Sequence, residues 1–174
     1  MKKIIYSIFS ISLLLFLFTS CEEEVENWES STGDLDGNWY VYYDHSTYGH
    51  DPFGVGLTPV YTFNTAADNG QEIWLTDEDH FWSYKVKIPA DPANLTFGSQ
   101  EAVTSVVDGY PIEVRVTNGK VIEDAVELPS GVMADSIYFE IWFEDLVDAT
   151  GIENDTLYVS GYRKTGFKED EPAH

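Results

Sequence analysis

The stretch that decides the fold is Ile137-Tyr138-Phe139-Glu140-Ile141-Trp142-Phe143, at residues 137–143. Large apolar side chains occupy every second position, and more polar or amphipathic residues stand between them. Successive side chains of a β-strand point to opposite faces, so this period of two predicts a strand with one face in a hydrophobic core. A helix would instead repeat its apolar residues every three or four positions.

The same alternation continues through the chain from residue 38 onward, and turn residues recur between the alternating segments. The pair Asn118-Gly119 is a strong hairpin signal, so we expect a turn between a strand over 112–116 and the next strand. Only residues 143–150 suggest a helix. The other predicted strands are 39–43, 60–64, 72–76, 82–88, 94–97, 103–107, 120–128 and 156–163.

About ten short strands in one chain predict an all-β domain, which we place at residues 34–168. An up-and-down antiparallel β-barrel accommodates a meander of this length well, because closure removes the exposed strand edges that promote aggregation. A two-sheet β-sandwich is the alternative.

Composition excludes two classes of protein. The chain has 174 residues, of which 43% are hydrophobic and 15% aromatic, and this apolar content argues against a disordered acidic protein. With 31 acidic and 9 basic residues the formal charge is −22, so we expect no nucleic-acid partner. Residues 169–174 are predicted to form a disordered tail.

The chain begins with a segment typical of an export signal. Lys2 and Lys3 precede an apolar run over 4–18 that only serines interrupt. A helix of about 15 residues is about 22 Å long and falls short of a hydrocarbon core of about 30 Å. We therefore interpret residues 1–20 as a secretory signal peptide; a transmembrane anchor is the alternative.

The signal segment ends in Leu17-Phe18-Thr19-Ser20-Cys21, which contains the only cysteine of the chain. These residues resemble a bacterial lipobox, although Phe18 is bulkier than the residue usual at its position. The resemblance implies that Cys21 is lipidated and that residues 21–33 form an acidic tether. Glu22-Glu23-Glu24 resembles the surface-export signal of Bacteroidetes lipoproteins, which implies a lipid-anchored protein of the outer membrane, exposed at the cell surface.

The first predicted strand opens with Gly37-Asn38-Trp39, which resembles the Gly-x-Trp signature of lipocalins, where the tryptophan closes one end of the barrel. Residues 34–168 also resemble a family of Bacteroidetes lipoproteins called lipid-binding putative hydrolases. This likeness implies a lipocalin-like barrel, lipid binding and possible hydrolysis, but it transfers no catalytic residue. The matching segments are 37–41, 61–66, 73–75, 81–87, 94–97 and 159–167.

Catalytic and metal-binding patterns are weak. No Gly-x-Ser-x-Gly motif occurs, and in Asp44-His45-Ser46 or Asp79-His80 neighbouring side chains of a strand would point to opposite faces. His45 and His50 with their flanking aspartates fit no established zinc spacing. The sequence therefore predicts no catalytic residue, no metal site and no cofactor, and a hydrolase is the third functional hypothesis.

The aromatic content favours a binding protein for a small hydrophobic or amphiphilic, lipid-like ligand. We expect a narrow or partly filled cavity inside the barrel, because the predicted inward positions carry bulky side chains. The alternative is a surface accessory or glycan-binding module, which would carry an exposed aromatic patch and no internal ligand. The residues predicted to surround the ligand are Trp74, Trp82, Tyr84, Phe139 and Ile141.

Two tripeptides, Asp135-Ser136-Ile137 and Asp155-Thr156-Leu157, resemble the sites at which Bacteroidetes O-glycosylate exported proteins. A sugar at either site requires the hydroxyl of Ser136 or Thr156 to lie on an outer face or loop.

Overall fold

Antiparallel pairing connects every strand in the computed structural model, which describes residues 29–172. One short helix, α1 (Leu146–Thr150), interrupts the strands, and no helix within the described range is long and apolar enough to span a membrane. The strands are β1 (Gly37–His45), β2 (Thr58–Asn64), β3 (Glu72–Thr76), β4 (Lys85–Asp91), β5 (Thr96–Phe97), β6 (Val103–Thr104), β7 (Glu113–Glu127), β8 (Met133–Phe143) and β9 (Leu157–Arg163).

The strands form a closed barrel. The order β5-β4-β3-β2-β1-β9-β8-β7 is closed by pairing of β5 with β7, which gives eight strands in the ring, and β6 is an extra strand on β7. Strands that follow one another in sequence within the ring pair as neighbours, and the last strand, β9, pairs with the first, β1. The predicted up-and-down barrel is therefore confirmed, and the sandwich alternative is wrong.

Alternation places one face of each strand inside the barrel, as the sequence predicts. In β8 the residues at 137, 139, 141 and 143 are at most 1% exposed, whereas those between them are partly exposed. The largest fully buried side chains are Trp39, Tyr43, Tyr84, Phe139, Phe143, Leu35, Ile73, Leu75, Ile137, Ile141, Leu146 and Leu157.

Trp39 closes one end of the barrel, as the Gly-x-Trp resemblance implies. Its indole N–H donates to the hydroxyl of Thr62 (2.8 Å), and the guanidinium of Arg163 lies 4.4 Å above its ring. Gly37 must lack a side chain, because a Cβ there would lie 2.7 Å from Arg163 and 2.9 Å from the Trp39 ring. We call this the closed end.

The opposite end, which we call the mouth, is covered by four connections. These are residues 46–57, 77–84, 105–112 and 144–156, which join β1 to β2, β3 to β4, β6 to β7 and β8 to β9. They are longer than the turns at the closed end and therefore determine what this end of the barrel presents to solvent.

The expected hairpin at Asn118-Gly119 is wrong. Both residues lie inside β7, where the register between Thr117 and Lys120 shifts against β8 and leaves a β-bulge. Asn118 has a φ of 55°, a left-handed conformation that both a hairpin turn and a bulge of this kind accept. The bulge lies where β5 pairs with β7, so it bends β7 at the seam that closes the barrel.

Two ends of the described chain are more ordered than we expect from the sequence. Residues 169–174 are predicted to be disordered, yet Lys168–Asp170 forms a 3-10 turn, and Asp170 is 4% exposed and accepts hydrogen bonds from Ser130 and Thr165. Within the predicted tether, Thr32 is 1% exposed and donates to Asp36 (2.8 Å). The signal segment, Cys21 and the glutamates after it lie outside the described residues.

Candidate functional site

The five residues predicted to surround a ligand do not share one site. Tyr84, Phe139 and Ile141 are fully buried inside the barrel. Trp74 lies on the outer wall, since its neighbours at 73 and 75 point inward. Lys85 places its ammonium 5.5 Å from the Trp74 ring there. Trp74 therefore does not face the interior of the barrel, where the sequence places it.

Trp82 lies at the mouth and not inside a strand. The period of two extends back to residue 82 in the sequence, but β4 begins at Lys85. The Trp82 ring stacks on the buried Phe143 with centroids 5.1 Å apart and an interplanar angle of 8°. Trp82 thus forms part of a lid over the barrel core.

Side chains fill the interior of the barrel. Tyr43 and Tyr84 cross it near the mouth, where their hydroxyls are 3.2 Å apart, and burial raises the pKa of both phenols. Phe97 and Phe139 lie inside the barrel farther from the mouth, with ring centroids 5.9 Å apart. The depressions found on residues 29–172 open to solvent. None of these five depressions lies inside the barrel.

An aromatic basin lies at the mouth, formed by Phe53, Phe81, Trp82 and Tyr110. Phe53 lies 5.3 Å from Phe81 and 5.8 Å from Trp82, measured between ring centroids. The depression beside Phe81, Trp82 and Tyr110 measures about 440 Å³. On the other side of Phe53 a second depression of about 420 Å³ reaches α1. All four rings are partly exposed, so the mouth presents apolar surface to solvent.

Asp145 fixes the polar edge of the aromatic basin. Its carboxylate accepts the indole N–H of Trp82 (2.8 Å) and the hydroxyl of Tyr110. Burial, together with this hydrogen bond to Asp145, raises the pKa of Tyr110 to about 12. Tyr110 therefore stays a neutral donor at physiological pH, and one carboxylate fixes the polar ends of both side chains at the edge of the basin.

Asp77 holds the loop that carries Phe81 and Trp82. Its side chain is fully buried, and its Oδ2 accepts the backbone N–H groups of Phe81 (2.9 Å) and Trp82 (2.7 Å). The other oxygen accepts from Tyr84 (3.2 Å). A buried carboxylate that receives several N–H donors is a strong local constraint, so the position of Trp82 is built into the loop.

A protein-family model described as lipid-binding putative hydrolase matches residues 24–168, which includes every strand of the barrel. The chain belongs to this family. A search of curated proteins finds no match. The family confirms the resemblance seen in the sequence, whereas an origin in Bacteroidetes and lipidation of Cys21 stay predictions.

The family description includes hydrolysis, and His45 forms the most conspicuous acid–imidazole pair in the described chain. Its Nε2 lies 2.7 and 2.8 Å from the two carboxylate oxygens of Asp155, and its Nδ1 accepts the backbone N–H groups of Thr47 (2.9 Å) and Tyr48 (3.1 Å). Because Nδ1 accepts, the ring proton lies on Nε2. Neither nitrogen is free to accept a proton from a nucleophile, so this pair braces the β1–β2 loop.

The lowered pKa of Asp155 agrees with a structural role for the His45–Asp155 pair. Burial raises the pKa of this carboxyl, but hydrogen bonds from His45, Thr150 and Thr156 lower it by more, so the net shift is downward. Asp155 is thus a stable anion that accepts hydrogen bonds and not a proton donor near neutral pH.

The remaining predicted features are distributed over the surface. His80 is exposed and its Nδ1 lies 2.6 Å from the backbone oxygen of Asp77. Within residues 29–172 no group of three or more His, Cys, Asp or Glu side chains could hold a metal. Ser136 on β8 and Thr156 before β9 are partly exposed, and their glycosylation stays a prediction.

The sequence pattern missed Phe53, Phe81 and Tyr110. Phe53 and Tyr110 lie in connections that contain aspartate, glycine and proline, and Phe81 lies in an acidic connection, so strand packing does not require a large ring at any of the three. Aromatic residues inside such turn-rich segments are the signal that could have found the aromatic basin.

Proposed function

We propose that this protein binds an amphiphilic, lipid-like molecule at the mouth of the barrel, with the apolar part of the ligand on the aromatic basin. The observation that carries the proposal is a partly exposed group of four aromatic rings above a core that its own side chains fill. Burying such rings against a hydrocarbon chain contributes roughly 25 cal/mol for each Å² of apolar surface removed from water. The lipid-binding description of the family supports this choice of ligand.

The protein is, in this proposal, an exported lipoprotein held in the outer membrane by acyl chains on Cys21 and exposed at the cell surface. Support comes from the charged start, the apolar run and the lipobox-like residues before Cys21. Two or more acyl chains give stable membrane attachment, whereas one is marginal. Labelling of cells with alkynyl palmitate should mark the wild-type chain and leave Cys21→Ser unmarked.

The chain geometry relates the anchor to the ligand site. The described chain starts at the closed end, where Arg163 contacts the backbone oxygens of Asp34 (3.1 Å) and Asp36. The aromatic basin lies at the opposite end of the barrel. A chain tethered through Cys21 therefore has the mouth directed away from its attachment point, open to ligands from the surrounding medium.

The direct test is displacement of a dansyl-labelled undecanoate by palmitate from a soluble chain that starts after Cys21. We expect Trp82→Ala to weaken binding about tenfold or more, because it removes the ring at the centre of the basin. Trp74→Ala is the matched control, since this tryptophan lies on the outer wall. Equal binding by wild type and Trp82→Ala, or no binding by wild type, would refute the proposal.

A further inference from the structure

A groove on the described surface lies away from the mouth, at the seam where β5 closes the barrel. It measures about 720 Å³, more than either depression at the mouth. β5, which pairs with β4 and β7, has only two residues, so the wall of the barrel is short at this point. Its lining consists of Pro89, Ala90, Asp91, Thr96, Phe97, Gly98, Asn118, Gly119, Lys120, Tyr138 and Glu140.

Glycines shape the floor of this seam groove. A Cβ on Gly98 would lie 2.6 Å from the carbonyl oxygen of Val116, and one on Gly119 would lie 2.3 Å from the ring of Phe97. Gly98 also has a φ of +113°, which side-chain-bearing residues rarely adopt. Larger residues would fill the floor and separate the strands, so the concave shape depends on these two positions.

One aromatic ring and several polar groups converge on the seam groove. The Tyr138 ring is partly exposed, and its hydroxyl donates to Glu140 (3.0 Å). The ammonium of Lys120 lies 5.3 Å from the centre of the same ring. Asn118 is exposed on the bulge, and Asp91 accepts the amide of Asn94 (2.6 Å) within the turn between β4 and β5.

The protonation state of Tyr138 fits a role as a fixed platform. Burial, together with the hydrogen bond to Glu140, raises the pKa of Tyr138 to about 12. The phenol is therefore neutral at physiological pH and its proton points at Glu140. The carboxylate of Glu140 thus fixes the hydroxyl end of the ring, and the ring is partly exposed where it lines the groove.

The charged and polar side chains that line the seam groove determine which class of ligand it can bind. A hydrocarbon chain would remove water from Asp91, Lys120 and Glu140 without replacing their hydrogen bonds, which is costly. An anionic ligand would meet two carboxylates against one ammonium on a chain of charge −22. A neutral sugar offers an apolar C–H face for the Tyr138 ring and hydroxyls for the charged and amide groups.

We propose that the seam groove is a second binding site, separate from the aromatic basin, which takes one neutral pyranose unit of a glycan. The sugar stacks on Tyr138, and its hydroxyls donate to Glu140 and Asp91 and accept from Lys120 and Asn118. This site goes beyond the lipid-like ligand proposed for the mouth and does not depend on it.

The test uses the full chain in a polyoxyethylene detergent, which carries no sugar, and isothermal titration with cellohexaose, maltohexaose, mannohexaose and xylohexaose. We expect at least one to bind wild type and Tyr138→Ala to weaken that binding about tenfold or more. Glu140→Gln keeps the shape of the side chain and should also weaken binding. Trp74→Ala, on the outer wall away from the groove, is the control and should bind as wild type does.

A further variant distinguishes loss of binding from loss of folding. Tyr138→Phe retains the ring and should keep most of the binding, so it separates stacking from a folding defect in Tyr138→Ala. Binding of none of the four neutral oligosaccharides, binding of polygalacturonate alone, or equal binding by wild type, Tyr138→Ala and Glu140→Gln would each overturn the proposal. Loss of palmitate binding at the mouth leaves these outcomes unchanged, so failures of the two sites are distinguishable.

Discussion

At the scale of single residues, the barrel depends on positions where a missing side chain lets two strands approach. Gly37 makes room for Arg163 over Trp39 at the closed end. Gly161 lies opposite Val41, in the pairing of β9 with β1. The Gly-x-Trp pattern is short and local, so the sequence predicts the place of Trp39 at one end of the barrel, but not its contact with Arg163. Nothing local marks Gly161, since its neighbour comes from 120 positions earlier in the chain.

Replacing Gly161 by alanine should destabilise the protein. A Cβ there would lie 1.9 Å from the carbonyl oxygen of Tyr40, and a backbone atom cannot move aside without disturbing β1. We expect the free energy of unfolding to fall by roughly 1–3 kcal/mol, as for other overpacked sites. Urea unfolding measures this. Ser160→Ala, at the exposed neighbouring position, should change stability little, and equal stability of both variants would contradict the account.

Asp170 gives a pH dependence with a definite sign. Burial raises the pKa of its carboxyl, but hydrogen bonds from Thr165 and Ser130 lower it by more, so its pKa in the folded state lies below the ordinary value. A carboxyl with a depressed folded pKa adds stability above its unfolded pKa of about 3.9 and loses it as the pH falls through the folded pKa.

We therefore expect Asp170→Asn to melt below wild type at pH 7, and the gap in melting temperature to narrow as the pH falls below about 4. Calorimetry of both chains between pH 7 and 3 measures the gap. A gap that stays constant or widens at low pH would show that the Asp170 carboxylate does not anchor the end of the chain.

At the scale of elements, alternation predicts the strands well and their limits less well. A hairpin and a bulge both accept a left-handed Asn118, so only the register of β8 distinguishes them. The apolar alternation of residues 82–88 begins before β4, which starts at Lys85. The backbone N–H groups of residues 81–84 donate to the buried carboxylate of Asp77 and therefore do not pair with a neighbouring strand. Neither the register of a distant strand nor the hydrogen bonds of one side chain appear in an apolar period.

Asp77→Ala should release the loop that carries Trp82. The substitution leaves several backbone N–H groups without their acceptor, and each buried unsatisfied donor is costly. We expect a loss of roughly 2–3 kcal/mol in the free energy of unfolding and faster amide exchange in residues 79–84. Glu78→Ala changes an exposed neighbouring acid and is the control. Unchanged exchange in Asp77→Ala would contradict this account of the loop.

At the scale of the whole molecule, the closed barrel could be predicted from alternation and strand number, whereas the extent to which side chains fill its interior could not. Whether a small barrel holds a ligand depends on the summed volumes of inward side chains from all strands. The partners in the interior, such as Tyr43 with Tyr84, are distant in sequence. The expected ligand residues were therefore divided among the core, the mouth and the outer wall.

The central claim is that the barrel core is filled and that an amphiphilic ligand binds at the mouth. The most direct measurement is a crystal structure grown with 12-bromododecanoate, in which anomalous scattering locates the bromine. We predict a bromine peak beside Phe53, Phe81, Trp82 or Tyr110, with Phe139 and Ile141 in their unliganded positions. A peak inside the barrel, in contact with Phe139 or Ile141, would contradict the claim.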